Sequence, residues 1–183
     1  MKRSVILVFI LFVFLIAGQR SGKAQAVEAM DRRGFYIDAG GMASGFVPGD
    51  RMHPVIGFGT YVDLHFTHWI QVEAEGRWMR WNGFEGETQD NYLIGPRVPV
   101  YRLGRRGQLY GKALVGLAKQ NFAYGGNGSF TAFAFGGTLD YKLTRKLTLR
   151  AVDFEYQYWP VWLPDESLRP YGGSVGLAYR VFR

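Results

Sequence analysis

At 183 residues, with no cysteine and a formal charge of +7, the chain is sized for one domain and has neither disulfides nor thiolate metal ligands. Residues 1–26 hold Lys2, Arg3, Arg20 and Lys23 and no acidic residue, so the remainder carries only +3. That remainder has no basic run longer than a pair such as Arg105-Arg106 and no docking motif, which leaves nothing to support a nucleic-acid partner.

The chain opens with a basic start, thirteen apolar residues from Val5 to Ala17, and the small-residue signature Ala24-Gln25-Ala26. As a helix the apolar run would span about 20 Å, short of a bilayer's roughly 30 Å hydrocarbon core. Residues 1–26 are therefore expected to be a cleaved signal peptide, with 27–33 a lead-in and 34–183 the folded domain.

From Gly34 onward, apolar residues recur with period two in eight stretches of about ten residues, separated by turn-rich segments. Gly34 to Ala43 sets Phe35, Ile37 and Ala39 against Tyr36, Asp38 and Gly40. His53 to Asp63 sets Ile56, Phe58, Thr60 and Val62 against Gly57, Gly59, Tyr61 and Asp63. The clearest alternation is Trp69 to Trp81, where Ile70, Val72, Ala74, Gly76 and Trp78 oppose Gln71, Glu73, Glu75, Arg77 and Met79. Asn91 to Tyr101 opposes Ile94, Pro96, Val98 and Val100 to Gly95, Arg97 and Pro99; its two prolines lack ladder donors.

Gln108 to Phe122 sets Leu109, Ala113, Val115 and Leu117 against Tyr110, Lys112, Leu114 and Gly116. Ser129 to Tyr141 sets Phe133, Phe135, Leu139 and Tyr141 against Ala132, Ala134, Gly136 and Asp140. Leu147 to Tyr158 sets Val152, Phe154, Tyr156 and Tyr158 against Ala151, Asp153, Glu155 and Gln157. Tyr171 to Arg183 sets Val175, Leu177, Tyr179 and Val181 against Ser174, Gly176, Ala178 and Arg180.

The connections 64–68, 102–107 and 142–146 are short, whereas 44–52, 80–90, 123–128 and 159–170 are mostly longer. Short turns on one side and long loops on the other predict an all-β fold, an eight-stranded antiparallel up-and-down transmembrane β-barrel. In a soluble barrel the apolar face would fill the core. Here the other face is largely Gly, Ala and Ser, suited to a crowded interior, and the apolar face ends in two aromatic groups. Trp69, Tyr101 and Tyr141 lie near the short turns; Trp78, Tyr92, Phe133, Tyr156 and Tyr158 lie nearer the long loops. Two such girdles match the two interfaces of a bilayer. Asp38, Glu73, Glu75, Asp153 and Glu155 are then expected to pair with Arg77, Arg97, Lys112 and Arg180 inside a lumen just wide enough for side chains.

Catalysis requires a nucleophile and a base within reach, and the domain's only histidines are His53, His65 and His68. His65 and His68 are placed at a solvated turn. His53 lies near Ser44 and Asp50 in sequence, but no spacing enforces a triad there, and the chain has no nucleophile elbow or phosphate loop. No enzyme activity, cofactor or metal is expected.

Three segments resemble the outer-membrane β-barrel domain family, the small barrels of OmpA/OmpX type: Val72-Glu73-Ala74-Glu75-Gly76-Arg77-Trp78, Asn91-Tyr92-Leu93-Ile94-Gly95-Pro96-Arg97, and Ser174-Val175-Gly176-Leu177-Ala178-Tyr179-Arg180-Val181. The resemblance covers the whole domain and implies residence in a bacterial outer membrane, among its lipid and lipopolysaccharide, as a monomer. It also implies that the last strand, through Gly176, Leu177, Tyr179 and Val181, is read by the barrel-assembly machinery, although Phe182 stands out of phase with the alternation. The function expected is noncatalytic: a structural or surface-recognition role through long loops carrying Trp81, Phe84, Trp159 and Trp162. The alternatives are a narrow pore, a rim-active lipid hydrolase and a soluble ligand-binding barrel.

Overall fold

The computed structural model describes residues 35–49, 53–67, 69–81, 87–121, 127–163 and 166–182. The expected signal peptide and lead-in lie outside the described residues, as do Asp50, His68 and Phe84. The strands are β1 (Tyr36–Val47), β2 (Val55–His65), β3 (Gln71–Trp81), β4 (Thr88–Leu103), β5 (Gly107–Asn121), β6 (Asn127–Lys142), β7 (Leu147–Leu163), β8 (Glu166–Leu168) and β9 (Tyr171–Phe182).

Neighbours in sequence pair antiparallel from β1 through β7; β9 pairs with β7 on one side and β1 on the other. The ring closes with Ala43 opposite Val175 and Gly41 opposite Leu177. Eight strands thus form a closed antiparallel barrel, and the three-residue β8 folds back on the far end of β7. Closure gives every strand two partners, which a chain in hydrocarbon requires because lipid offers its backbone no hydrogen bonds.

Several strands outrun their expected lengths. β4 begins at Thr88 and runs to Leu103, taking both prolines in its stride. Pro96 stands opposite Val72, Pro99 opposite Tyr110, and the register slips by one between Pro99 and Tyr101. A bulge absorbs the lost ladder bond. β7 reaches Leu163, so the segment 159–170, expected to be a loop, instead contains a strand end and the returning β8.

The alternation is that of a barrel turned inside out. Ile56, Phe58, Ile94, Val115, Phe135, Val152, Phe154, Val175 and Leu177 are all exposed on the outer wall. The inner wall holds the ionised groups together with glycine and alanine. Gly116 shows why small residues are needed there: a Cβ on it would lie 1.9 Å from the Tyr92 carbonyl oxygen. Gly104, in the turn joining β4 to β5, has φ +63°, a left-handed conformation that glycine adopts without steric cost.

One local irregularity changes the interior. Between Arg150 and Asp153 the register of β7 against β9 shifts by one, and a matching shift occurs against β6. Three residues apart, Arg150 and Asp153 would face opposite ways in a regular strand. The extra residue puts both inside. Simple alternation places Ala151 on the inner face and Arg150 on the outer; the bulge corrects that reading.

Candidate functional site

The interior of the barrel is the only place among the described residues where the chain's chemistry-bearing side chains converge. Six carboxylates (Asp63, Glu73, Glu75, Asp140, Asp153 and Glu155) meet four cations (Arg77, Arg97, Lys112 and Arg150). The members supplied by β2, β3, β4, β5 and β7 are at most 6 % exposed.

Two centres share this network. Nearer the long loops, the Lys112 ammonium touches Glu73 at 3.0 Å, Glu75 at 3.2 Å, Asp153 at 2.9 Å and Glu155 at 3.0 Å. Arg77 reaches across to Glu155 at 2.8 Å and to its own strand neighbour Glu75 at 2.6 Å. Nearer the short turns, Arg97 and Arg150 both donate to Asp63 Oδ2, at 2.9 and 3.0 Å. Arg97 also binds Asp140 and the Thr138 hydroxyl, and Arg150 binds Glu73 at 2.8 Å. Glu73 therefore joins the two centres.

Aromatic faces complete the desolvation of the guanidinium groups. Arg97 stacks over Tyr110 at 3.8 Å and Arg150 over Tyr61 at 3.6 Å, contacts that strengthen where water is excluded. Breaking one partner from such a set strands a buried charge, at a cost of about 3–5 kcal/mol.

Of the residues expected in the polar cluster, Glu73, Glu75, Arg77, Arg97, Lys112, Asp153 and Glu155 meet in the network. Asp38 and Arg180 do not join it. They pair with each other through two hydrogen bonds of 2.9 and 3.2 Å close to the short turns, and Arg180 stacks over Tyr36. His65, placed by sequence at a solvated turn, is buried in this same group, stacked on Tyr36 at 3.9 Å and 3.4 Å from Asp38. It ends β2 on the inward face, so the strand's parity, and not its proximity to the turn, decides its surroundings.

Asp63, Asp140 and Arg150 were missed as members. The first two carried their signal in the alternation, both lying on the polar face of their strands; Arg150 carried none, because only the bulge turns it inward. A second polar group, also missed, lies nearer the long loops, where Gln89, Asn91 and Gln120 are buried and Gln89 donates to Asn91 at 3.4 Å.

Apolar side chains fill much of the rest of the loop-side interior. Leu93, Leu114, Ala118, Ala132, Ala134 and Trp159 form one buried cluster, and Phe46, Val55 and Met79 another. Trp159, expected on an exposed loop, is fully buried, stacked on Phe130 and donating its indole N–H to Gln157 at 2.9 Å. Trp81 does remain exposed, edge-on to Phe58. Ser44 is enclosed too, its hydroxyl bonded to that of Ser174 at 2.8 Å. That removes it from the rim, where a triad with His53 would need it.

Glu73, Glu75 and Asp153 can bring one oxygen each within 4.8 Å of one another, a spacing that suits a metal ion. Lys112 Nζ contacts all three. The chain's own ammonium thus stands where a cation would.

On the outer wall the aromatic residues expected in two groups are exposed, Trp69, Tyr101 and Tyr141 toward the short turns and Trp78, Tyr92, Phe133, Tyr156 and Tyr158 toward the long loops, while Phe135 and Phe154 lie mid-strand. Trp78 donates to the Tyr92 hydroxyl at 2.9 Å. Of the last-strand residues, Leu177, Tyr179 and Val181 point outward, while Gly176 packs against Met42 and the Gly41 carbonyl of β1.

A closed ring of strands, greasy outside and ionised within, defines a transmembrane β-barrel. The chain belongs to the outer membrane protein β-barrel domain family, which it matches over residues 10–180. Among solved structures it is similar to Neisserial surface protein A, at 14 % identity and TM-score 0.54, covering 81 % of this chain and 97 % of that one. It is also similar to Ail, the attachment invasion locus protein of Yersinia pestis (23 % identity, TM-score 0.48, 80 % and 97 % covered). The N-terminal β-barrel domain of Pseudomonas aeruginosa OprF gives 14 % identity and TM-score 0.48, with 78 % and 97 % covered. No curated protein sequence matches the chain.

Proposed function

We propose that this protein is a noncatalytic outer-membrane barrel with a solid interior, which strengthens the envelope and presents its long-loop end for recognition. The observation that carries the reading is the packed lumen. An ion path would require hydrated charges, yet the Lys112 and Arg150 centres are enclosed by their own partners and backed on the loop side by Trp159, Phe46 and Met79. At the long-loop end β7 continues to Leu163 and β8 pairs back on it, with Leu168 packed against the buried cluster that holds Trp159, and backbone held in this way costs less to order on recognition than a slack loop.

Export through a cleaved signal and assembly through Leu177, Tyr179 and Val181 belong to the same reading. Recording from the purified protein in planar bilayers tests the solid interior: silence is expected, and steady unitary conductance would establish a pore instead.

A further inference from the structure

We propose that the short-turn rim is a docking collar for anionic phospholipid headgroups. This rests on the membrane-barrel reading and goes beyond it. The end of β4 and its turn to β5 carry Arg102, Arg105 and Arg106; the end of β6 and its turn to β7 carry Lys142, Arg145 and Lys146. The two turns lie far apart in sequence, and the fold makes them neighbours. The Lys142 N–H donates to the Arg106 carbonyl at 2.9 Å, and the Arg180 N–H donates to the Lys146 carbonyl at 2.8 Å, tying the second turn to β9.

Neither turn holds an acidic residue, and all of these cations except Lys142 are exposed. The acidic groups at this end among the described residues are engaged inside, Asp38 by Arg180 and Asp140 by Arg97. The opposite rim is mixed in sign: there Arg80 is bound by Asp90. Among the described residues the exposed charges at this rim are of one sign, and Arg102, Arg105, Arg106 and Arg145 meet no carboxylate there, which leaves their complement outside the molecule.

Placement selects the partner. Directly beside the cations the outer wall shows Tyr101, Leu103, Tyr141, Leu143 and Phe182, all exposed. Rings and aliphatic groups at this height belong at the boundary of hydrocarbon and headgroups, so the guanidinium and ammonium groups just beyond them stand at the level of the phosphodiesters. A guanidinium meets a phosphate with paired hydrogen bonds, and each cation close to an anionic surface raises association about five-fold. Phosphatidylglycerol fits this collar; phosphatidylcholine, whose phosphate is neutralised by its own choline, fits less well.

The test uses the protein purified from bacterial membranes and reconstituted into phosphatidylcholine vesicles containing a trace of spin-labelled phosphatidylglycerol or spin-labelled phosphatidylcholine. The fraction of each label immobilised at the protein surface is read from its spectrum. A preference for phosphatidylglycerol of at least about five-fold is expected, weakening in molar salt as screening shortens the range of the interaction. It should fall close to unity in the combined variant Arg105→Gln, Arg106→Gln, Arg145→Gln and Lys146→Gln. A variant of the other rim, Arg80→Gln with Lys119→Gln, should keep it. Equal immobilisation of the two lipids by the unaltered protein, or a preference that survives loss of the four turn cations, overturns the proposal. So does selective capture of a soluble acidic polymer in place of lipid. Failure of the protein to float with pure phosphatidylcholine vesicles would overturn the membrane reading itself, a result distinct from insertion without selectivity.

Discussion

Lys112 is the residue on which the interior turns, because one ammonium holds four carboxylates together that would otherwise repel. Lys112→Met keeps the length of the side chain and removes its charge. It should lower the unfolding free energy in urea by about 3–5 kcal/mol, the cost of leaving buried charges without a partner; a loss under 1 kcal/mol would mean that the centre is hydrated. The exposed Arg80 and Asp90 give the contrast. Arg80→Ala should change stability by no more than about 0.5 kcal/mol in the same assay, since solvated ion pairs contribute little. Trp159→Ala tests the apolar layer on the loop side, and a loss of about 3–5 kcal/mol is expected for emptying a fully enclosed indole site. Trp159 also marks where residue-level reading stops. An aromatic side chain in a Pro-rich and Trp-rich stretch looks like loop surface, and only the continuation of β7 past Tyr158 puts it on the inward parity.

At the scale of the strand, period-two patterning reports a face and nothing about its interruptions. In β3, β5 and β9 the side chains assigned from alternation point as expected, from Gln71 to Met79, from Leu109 to Leu117 and from Ser174 to Val181, because the register slips in β3 and β9 fall only near their ends. In β7 the slip falls mid-strand, between Arg150 and Asp153, and it changes which charged group faces inward. A bulge is a backbone choice made in response to both neighbouring strands, so the letters around Ala151 carry no local sign of it, and extending the alternation back from Asp153 would put Arg150 on the wrong wall. If the extra residue only adjusts parity, deleting Ala151 should leave Arg150 and Asp153 facing inward at a spacing of two, and the shortened chain should still fold in detergent. Loss of the folded form on deletion would show that the local twist of the bulge is itself required. The same limitation hid the cationic collar: its two halves read as unremarkable short turns until pairing of β5 with β6 sets Gly107 opposite Tyr141.

For the molecule as a whole, the strand count, the antiparallel order and the exchange of inside for outside were all legible, because a bilayer imposes one uniform rule on every strand. The membrane supplies the apolar environment, so stability must come from a continuous ladder and a satisfied interior. A cooperative unit of this type should resist detergent until heated. Unboiled and boiled samples are therefore expected to migrate differently on electrophoresis, with strand-type circular dichroism in the unboiled one; identical migration would count against the closed ring.

The seam between β1 and β9 has a consequence for the order of events in folding. The segments that meet there stand at opposite ends of the domain, so no partial product made from the N-terminus onward can have its first strand's free edge satisfied. Bringing such distant ends together costs chain entropy that no earlier contact repays. Closure must therefore wait for β9, and until it arrives one edge of β1 keeps its backbone donors and acceptors open.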